Sequence, residues 1–171
     1  YPKVQVPPEQ GNGDATVIAW LWMRTVRCPN PACGCEMPLT SSFELSKKKG
    51  KEAYVQPLCD DAQISYEVRT GKGAPDGTVN RKGATCLCCG TPVGFPYIRE
   101  EGRAGRMSSK LIAVVAEGKS GRIYTSPSIT QIQAPDVERP DQYPDGELFG
   151  KAAVNVPNYG LTNFSNLFTP R

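Results

Sequence analysis

The clearest hydrophobic pattern in the chain lies at residues 16–27, TVIAWLWMRTVR. In an extended segment, alternate positions fall on two faces: Ile18, Trp20 and Trp22 on one, and Val17, Ala19, Leu21 and Met23 on the other. Because both faces are largely apolar, the pattern predicts a strand that is central or covered. A short buried helix is the alternative, but the β-branched and aromatic residues favour a strand.

Other segments predict further strands. A short strand is expected at 37–46, and AYVQPL (53–58) and ISYEVRT (64–70) predict an antiparallel hairpin joined across 59–63. KLIAVVAEG at 110–118 predicts a strand that pairs with 121–124. Residues 97–106 are charged and poor in core-forming side chains, so no element is predicted there.

Both ends of the chain have the composition of irregular arms. Residues 1–15 are rich in Pro and Gly, and 126–157 are mostly polar with little periodicity. Near the C-terminus a short helix is expected over 160–168, because the apolar residues there have helical spacing: Leu161, Phe164, Leu167 and Phe168. We therefore predict a mainly β fold with little helix, a domain at 16–125, an arm at 1–15 and an arm at 126–171.

Composition narrows the function classes. The 17 Gly and 16 Pro residues indicate a loop-rich fold, and the net charge of +3 permits a nucleic-acid partner without demanding one. The absence of His excludes His-based triads and catalytic zinc sites of the His type within this chain.

No apolar run approaches the roughly 20 residues of a membrane span, and no secretory signal is visible, so no membrane partner and a cytoplasmic location are expected. The start at Tyr1 and the end at Thr-Pro-Arg suggest a piece cut from a longer protein or a processed form.

Four of the seven cysteines have the spacing of metal ligands. Cys28 and Cys33 form a C-x4-C pair, Cys86 and Cys89 form a C-x2-C pair, and a glycine follows each pair. Zinc takes four such ligands in a tetrahedron, and two thiolates two to four residues apart can reach one ion from a single turn. The sequence thus predicts two zinc-ribbon-like knuckles, at 28–36 and 86–93, with the hairpin strands inserted between them. Because four thiolates leave no open position, the zinc would be structural and no catalytic residue is predicted.

The remaining cysteines leave alternatives open. Cys35 could replace Cys33, and Cys88 could replace Cys86 or Cys89, although the usual spacings and the following glycines favour the set chosen above. Cys59 stands alone in a predicted turn, and we expect a free thiol. The competing interpretations are disulfides, cysteines that only pack without any bridge, and an iron–sulfur cluster.

Basic residues are the other candidate for function. Lys47, Lys48, Lys49 and Lys51 form a cluster, and Arg103 and Arg106 follow with Arg99 and Lys110. These side chains could contact phosphates, but a solvated charged surface explains them equally well. Trp20 and Trp22 could stack on bases, although burial in the predicted strand is the more ordinary role for such residues.

Long strings of the chain resemble a known family. ATVIAWLWMRTVRCPNPACG, SFELSKKKGKEAYVQP, VRTGKGAPDGTVNRKGATCLCCGTPV, YIREEGRAGRMSSKLIAVVAEGKSGRIY and VPNYGLTNFSNLFTPR are similar, in this order, to segments of prokaryotic adenine-specific DNA methylases that contain a zinc ribbon. The likeness covers almost the whole chain and is weakest over 1–15 and 126–153. In that family the cysteine pairs correspond to Cys28/Cys33 and Cys86/Cys89, and Cys35 and Cys88 are outside the pattern.

The resemblance implies that this chain is an internal segment of a larger methylase. Such enzymes bind S-adenosylmethionine and transfer its methyl group to the exocyclic amine of adenine in DNA. The cofactor loop and the Asp-Pro-Pro-Tyr motif of the family have no counterpart here, so the segment alone is not expected to be an enzyme. The implied partners are the catalytic domain of the same polypeptide and, through the basic residues, DNA. A purely structural insertion or a protein–protein interaction module is the alternative.

Overall fold

The computed structural model describes residues 2–11, 13–118, 121–133, 138 and 140–168. The described strands are β1 (Lys3–Val6), β2 (Gly13–Arg27), β3 (Glu36–Pro38), β4 (Glu44–Ser46), β5 (Ala53–Asp60), β6 (Gln63–Thr70), β7 (Val79–Asn80), β8 (Gly83–Thr85), β9 (Pro92–Gly94), β10 (Ser108–Gly118) and β11 (Gly121–Thr125). The described α-helices are α1 (Phe95–Arg103), α2 (Ile129–Gln133) and α3 (Ala152–Asn155). Single 3-10 turns lie at Pro8–Gln10, Val156–Tyr159 and Phe164–Leu167. The mainly β prediction with little helix is confirmed.

The largest sheet is built around β2. Its strand order is β1-β2-β10-β11, with β3 pairing to the far end of β2, and all of these pairings are antiparallel. The predicted central position of the 16–27 strand is therefore confirmed. Its outer face is less covered than the pattern suggested, since Ile18 and Trp20 remain 48% and 41% exposed.

The predicted hairpin forms from β5 and β6, which pair over their full length and join at a turn where Asp61 and Ala62 have positive φ angles. On β6, alternate side chains turn inward. They help to cover a core of Met23, Phe43, Val55 and Ala113, which joins this hairpin to the large sheet. The hairpin thus runs along the large sheet rather than forming a separate unit.

The N-terminal arm is more ordered than its composition suggested. β1 pairs with the first residues of β2, and Val6 and Ala15 pack with Ala116 and Ile123 in a small core. A Pro- and Gly-rich segment can still supply an edge strand, because an edge needs backbone hydrogen bonds on one side only. The strand expected at 37–46 is also interrupted, and forms β3 and β4 in two different sheets.

Helix α1 is the main element that the sequence pattern missed. It begins with Pro96 in its first turn and buries Ile98, Glu101 and Gly102. Only Ile98 of these is a large apolar side chain, and the charged residues keep the mean hydropathy of the segment low, so the helix was not predicted. The absence of a Cβ at Gly102 lets the helix touch the backbone of Tyr159 and Gly160 directly.

The C-terminal arm has short turns instead of one helix at 160–168. Phe164–Leu167 forms a 3-10 turn closed by a reciprocal capping box between Asn163 and Asn166. Tyr159 packs edge-on against Phe95 of α1, and the Asn166 carbonyl accepts a hydrogen bond from the Arg24 guanidinium. This arm therefore contacts the rest of the fold through its turns, while Leu167 and Phe168 stay exposed.

Candidate metal centre

Each cysteine pair lies in a tight loop between two antiparallel strands. Cys28 follows β2 directly, and its N–H donates to the carbonyl of Cys35, 2.8 Å away, as the chain returns into β3. Cys86 follows β8, and its N–H donates to the carbonyl of Thr91 at 3.0 Å before β9 begins. The first knuckle (28–36) and the second knuckle (86–93) are thus two hairpin ends of similar construction, which the fold brings together.

The glycines after Cys33 and Cys89 have the backbone geometry that the sequence predicted. Gly34 has φ +58° and Gly90 has φ +72°, both in the left-handed region. That conformation costs little for glycine and is unfavourable for other residues. It turns the chain back immediately after the second cysteine of each pair, so that both cysteines of a knuckle point inward.

The four predicted ligands meet at one point. The Sγ atoms of Cys28, Cys33, Cys86 and Cys89 all lie within 4.8 Å of one another. Across the two knuckles, Cys28 and Cys89 are 3.7 Å apart and Cys33 and Cys86 are 3.9 Å apart. A tetrahedron with metal–sulfur bonds of about 2.3 Å has sulfur–sulfur edges of about 3.8 Å. This cysteine cluster is therefore positioned to bind a metal ion, and it resembles a zinc ribbon in its arrangement.

Hydrogen bonds and burial act in opposite directions on two of these sulfurs. The hydroxyl and N–H of Thr91 both donate to the Cys89 Sγ and lower the pKa of that exposed thiol to about 6. Burial raises the pKa of Cys28 to about 12, although the N–H of Asn30 donates to its sulfur. A buried thiolate needs a nearby positive charge, and a bound metal ion supplies one.

A hydrophobic shell surrounds the cluster. Val26 and Met37 from the first knuckle pack with Ala84 and Val93 from the second, and Ile98 of α1 closes the same core. The Tyr97 hydroxyl donates to the Arg27 carbonyl at 2.9 Å, which ties α1 to the first knuckle as well. Sequence reasoning missed helix α1 and the hydrogen bonding between Thr91 and Cys89. The C-x2-C-G-T string could have indicated the Thr91 contact.

The expected free thiol at Cys59 is wrong. Cys59 forms a disulfide with Cys88, with the two Cα atoms 5.7 Å apart. Cys59 lies near the end of β5, beside the turn of the hairpin, so the fold carries it to the second knuckle. Cys88 is accordingly not a spare ligand, and the pairing joins positions 29 residues apart whose proximity spacing alone could not predict.

Cys35 is the one described cysteine outside both the cluster and the disulfide. Its Sγ lies 3.3 Å from that of Cys86, and its side chain is buried. Burial is the largest cause that raises the pKa of this thiol above its ordinary value. The alternative in which Cys35 replaces Cys33 stays less favourable, because Cys33 belongs to the mutually close set.

The candidate nucleic-acid residues lie in two groups. The lysine turn (Lys47, Lys48, Lys49 and Lys51) follows β4, and Lys51 comes close to Gly121, which begins β11 and pairs with the last residue of β10. Arg103 and Arg106 lie at the other end of β10, just before it begins. A strand of this length spans about 33 Å at roughly 3.3 Å per residue, so the two groups do not form one patch.

Two of these basic side chains have acidic partners. Lys47 pairs with Glu44 at 2.8 Å, and Arg106 pairs with the mostly buried Glu101 at 2.6 Å. Of the tryptophans weighed for stacking on bases, Trp20 is exposed and Trp22 is half-buried.

Comparison of the chain with protein-family models, with curated proteins and with solved structures finds no match. The resemblance to DNA methylases thus rests on the sequence strings alone. Among the described residues, no helix has the length and apolar character that crossing a membrane requires.

Proposed function

We propose that this chain is a non-catalytic zinc-ribbon segment of a larger S-adenosylmethionine-dependent, adenine-specific DNA methylase. In this role it helps to hold DNA or positions the catalytic domain. The observation that carries the metal part is the cysteine cluster, whose cross-knuckle distances of 3.7 and 3.9 Å suit a tetrahedral ion. The methylase part is supported by the resemblance of the sequence strings.

Zinc is the ion that suits this site best. Four thiolates in a tetrahedral set favour zinc or an iron–sulfur centre over harder cations that prefer oxygen. With all four positions taken by sulfur, no water could bind as a nucleophile, so the ion holds the two knuckles together and supplies no chemistry.

The metal is tested by measuring the metal content of the reduced full chain. We expect one zinc per chain in the parent protein and none after Cys86→Ser. An ultraviolet–visible spectrum separates the two ions, because zinc thiolates are colourless in the visible range whereas iron–sulfur centres absorb there. A metal-free chain that folds normally under reducing conditions would remove the basis of the proposal.

The DNA role is tested on the full-length protein with charge-neutralising variants. Lys47→Gln with Lys48→Gln should weaken DNA binding and flatten its salt dependence, since each lost phosphate contact reduces the slope of log K against log salt by about 0.9. Arg81→Gln with Lys82→Gln, in the exposed turn between β7 and β8, is the matched control. Equal binding in all forms would leave the domain-positioning role.

A structural insertion or a protein–protein interaction module is the second candidate. It is favoured by the separation of the lysine turn from Arg103 and Arg106, since a DNA-binding surface usually collects its cations on one face. The pairing of Arg106 with Glu101 of α1 further reduces the positive charge available in the second of these groups. In this case the lysine substitutions leave the DNA affinity of the full-length protein unchanged.

A further inference from the structure

The Cys35 thiol lies beside the cysteine cluster, although a structural metal ion bound by the other four cysteines does not need a thiol there. Its Sγ is 3.3 Å from the Cys86 Sγ, which is shorter than the 3.7 and 3.9 Å that separate ligand sulfurs across the two knuckles. The hydrogen bond from the Cys28 N–H to the Cys35 carbonyl fixes the backbone on the other side. A tetrahedral ion is complete without a fifth sulfur, so this thiol is held close to a ligand without being one.

The cluster also has one sulfur that solvent reaches easily. Cys89 is exposed, whereas Cys28, Cys35 and Cys86 are buried. Cys89 and Cys86 belong to the same mutually close set of sulfurs, within 4.8 Å. A line of sulfurs therefore runs from the surface at Cys89, through Cys86, to the buried Cys35.

We infer that Cys35 and Cys86 form an oxidation site, in which a peroxide converts them to a disulfide and the metal is released. This inference rests on the metal-binding role proposed above. The substrate class is a small two-electron oxidant, with hydrogen peroxide as the simplest member. Cys35 acts as the resolving thiol, the group that closes the final disulfide.

The chemistry balances in three steps. The Cys89 thiolate attacks one peroxide oxygen, the O–O bond breaks, and hydroxide leaves, giving a sulfenic acid on Cys89. The Cys86 sulfur then attacks that sulfur and water leaves, giving a Cys86–Cys89 disulfide. Finally the Cys35 sulfur attacks Cys86 and expels the Cys89 thiolate by thiol–disulfide exchange. Overall, two thiols lose two electrons and two protons, and one peroxide becomes two waters.

The product explains why the metal leaves. A Cys35–Cys86 disulfide removes one of the four ligands, and the remaining three do not complete a closed thiolate shell. It also explains why the change can be reversed, because a disulfide is reduced by a dithiol whereas a sulfinic acid is not. Without Cys35, the oxidation would stop at the Cys86–Cys89 disulfide, which removes two ligands instead of one.

The experiment uses the zinc-loaded full chain and hydrogen peroxide. Metal content is measured first, which tests the metal site itself. Zinc release is then followed with a chromogenic chelator, and the disulfides are mapped by mass spectrometry. We expect release together with a Cys35–Cys86 crosslink, and recovery of bound zinc after dithiothreitol and added zinc.

Variants separate this route from others. Cys35→Ser and Cys35→Ala should bind zinc as well as the parent chain, and their oxidation should stop at a Cys86–Cys89 disulfide. The Cys59→Ser, Cys88→Ser double variant is the matched control, since it removes the neighbouring disulfide and should still form the Cys35–Cys86 crosslink. A zinc-loaded parent chain that carries a Cys86–Cys89 disulfide and no Cys35–Cys86 disulfide after peroxide would overturn the inference. So would a final crosslink of Cys28 to Cys89 in the parent chain.

Discussion

The two knuckles are built alike but stand on very different supports. The first knuckle lies at the end of β2, a strand of 15 residues that pairs on both sides, whereas the second rests on β8 and β9, each of three residues. The second knuckle is additionally tied by the Cys59–Cys88 disulfide and covered by α1. The difference indicates that the first knuckle is preformed by the sheet and that the second depends on ligation, the disulfide and one small core.

Removing a ligand from the second knuckle should have the largest effect. Cys86→Ser deletes metal binding, and structural zinc contributes roughly 10 kcal/mol or more to the folding of small zinc domains. Hydrogen exchange should show lost protection in β8, β9 and α1, while β2 and β10 stay protected because they share a long ladder and cores of their own. Cys59→Ser keeps all four ligands but breaks the disulfide, so it separates the contribution of the disulfide from that of the metal. An unchanged melting profile in Cys86→Ser would refute a structural metal.

Opening the core beneath the second knuckle should have the next largest effect. Ile98 is fully buried between α1 and the cluster, so Ile98→Ala should lower the free energy of unfolding by about 2–5 kcal/mol. Ile18→Ala, on the exposed face of β2, should change it by less than about 0.5 kcal/mol. Urea denaturation of the zinc-loaded forms measures both. Equal losses would mean that the core at α1 is no more important than the open face of β2.

Substitution of the glycine that follows each cysteine pair should lower the stability by a smaller amount. Gly90→Ala and Gly34→Ala place a Cβ on a residue with positive φ, at a cost of about 1–2 kcal/mol each. Gly94→Ala is the control, because its φ of −73° suits any residue. In thermal melts of the zinc-loaded protein, the melting temperature of the Gly90 variant should fall further than that of the Gly34 variant if the second knuckle has the weaker support. Identical shifts would remove that distinction.

The smallest expected difference between the two knuckles lies in how the pH affects metal binding by their cysteines. Cys28, with a pKa of about 12, must release a proton to bind metal at any ordinary pH, whereas Cys89, with a pKa of about 6, is already a thiolate above that pH. Metal affinity should therefore fall as pH falls, about tenfold per unit for each displaced proton, and the slope should increase by one below about pH 6. Competition with a chelator of known affinity measures this profile.

Thr91→Val tests the cause of that break in slope. It removes the hydroxyl that donates to Cys89, so the pKa of Cys89 should rise and the break should move to higher pH. Asn30→Ala, which keeps the N–H that donates to Cys28, should leave the position of the break unchanged. A break that stays near pH 6 in Thr91→Val would assign it to another group.

The parts of the fold that the sequence predicted are those with a strong local pattern. The alternation in β2, the run in β10 and the paired segments of β5 and β6 are each visible without knowledge of the rest. The four ligands were predicted because metal coordination restricts cysteine spacing within a turn. These features are local, and local patterns survive in the final structure when tertiary contacts agree with them.

The features that sequence reasoning missed depend on distant partners. Cys59 finds Cys88 only because the β5–β6 hairpin carries it to the second knuckle. Helix α1 has a low mean hydropathy, and it is stabilised by contacts at Ile98 and by the close approach at Gly102. β1 is set by pairing with β2 rather than by its own composition. Such contacts are specified by the assembled fold, so no window of the sequence contains them.

The meeting of Gly102 and Gly160 gives the C-terminal segment a direct mechanical link to the cysteine cluster. Each glycine lies against backbone atoms of the other segment, with no room for even a methyl group, and Ile98 one turn earlier on α1 faces the cluster. A tilt of α1 would therefore be passed to residues 159–160 without side chains to absorb it. The position of residues 159–160 is in this way coupled to the ion-binding end of the molecule.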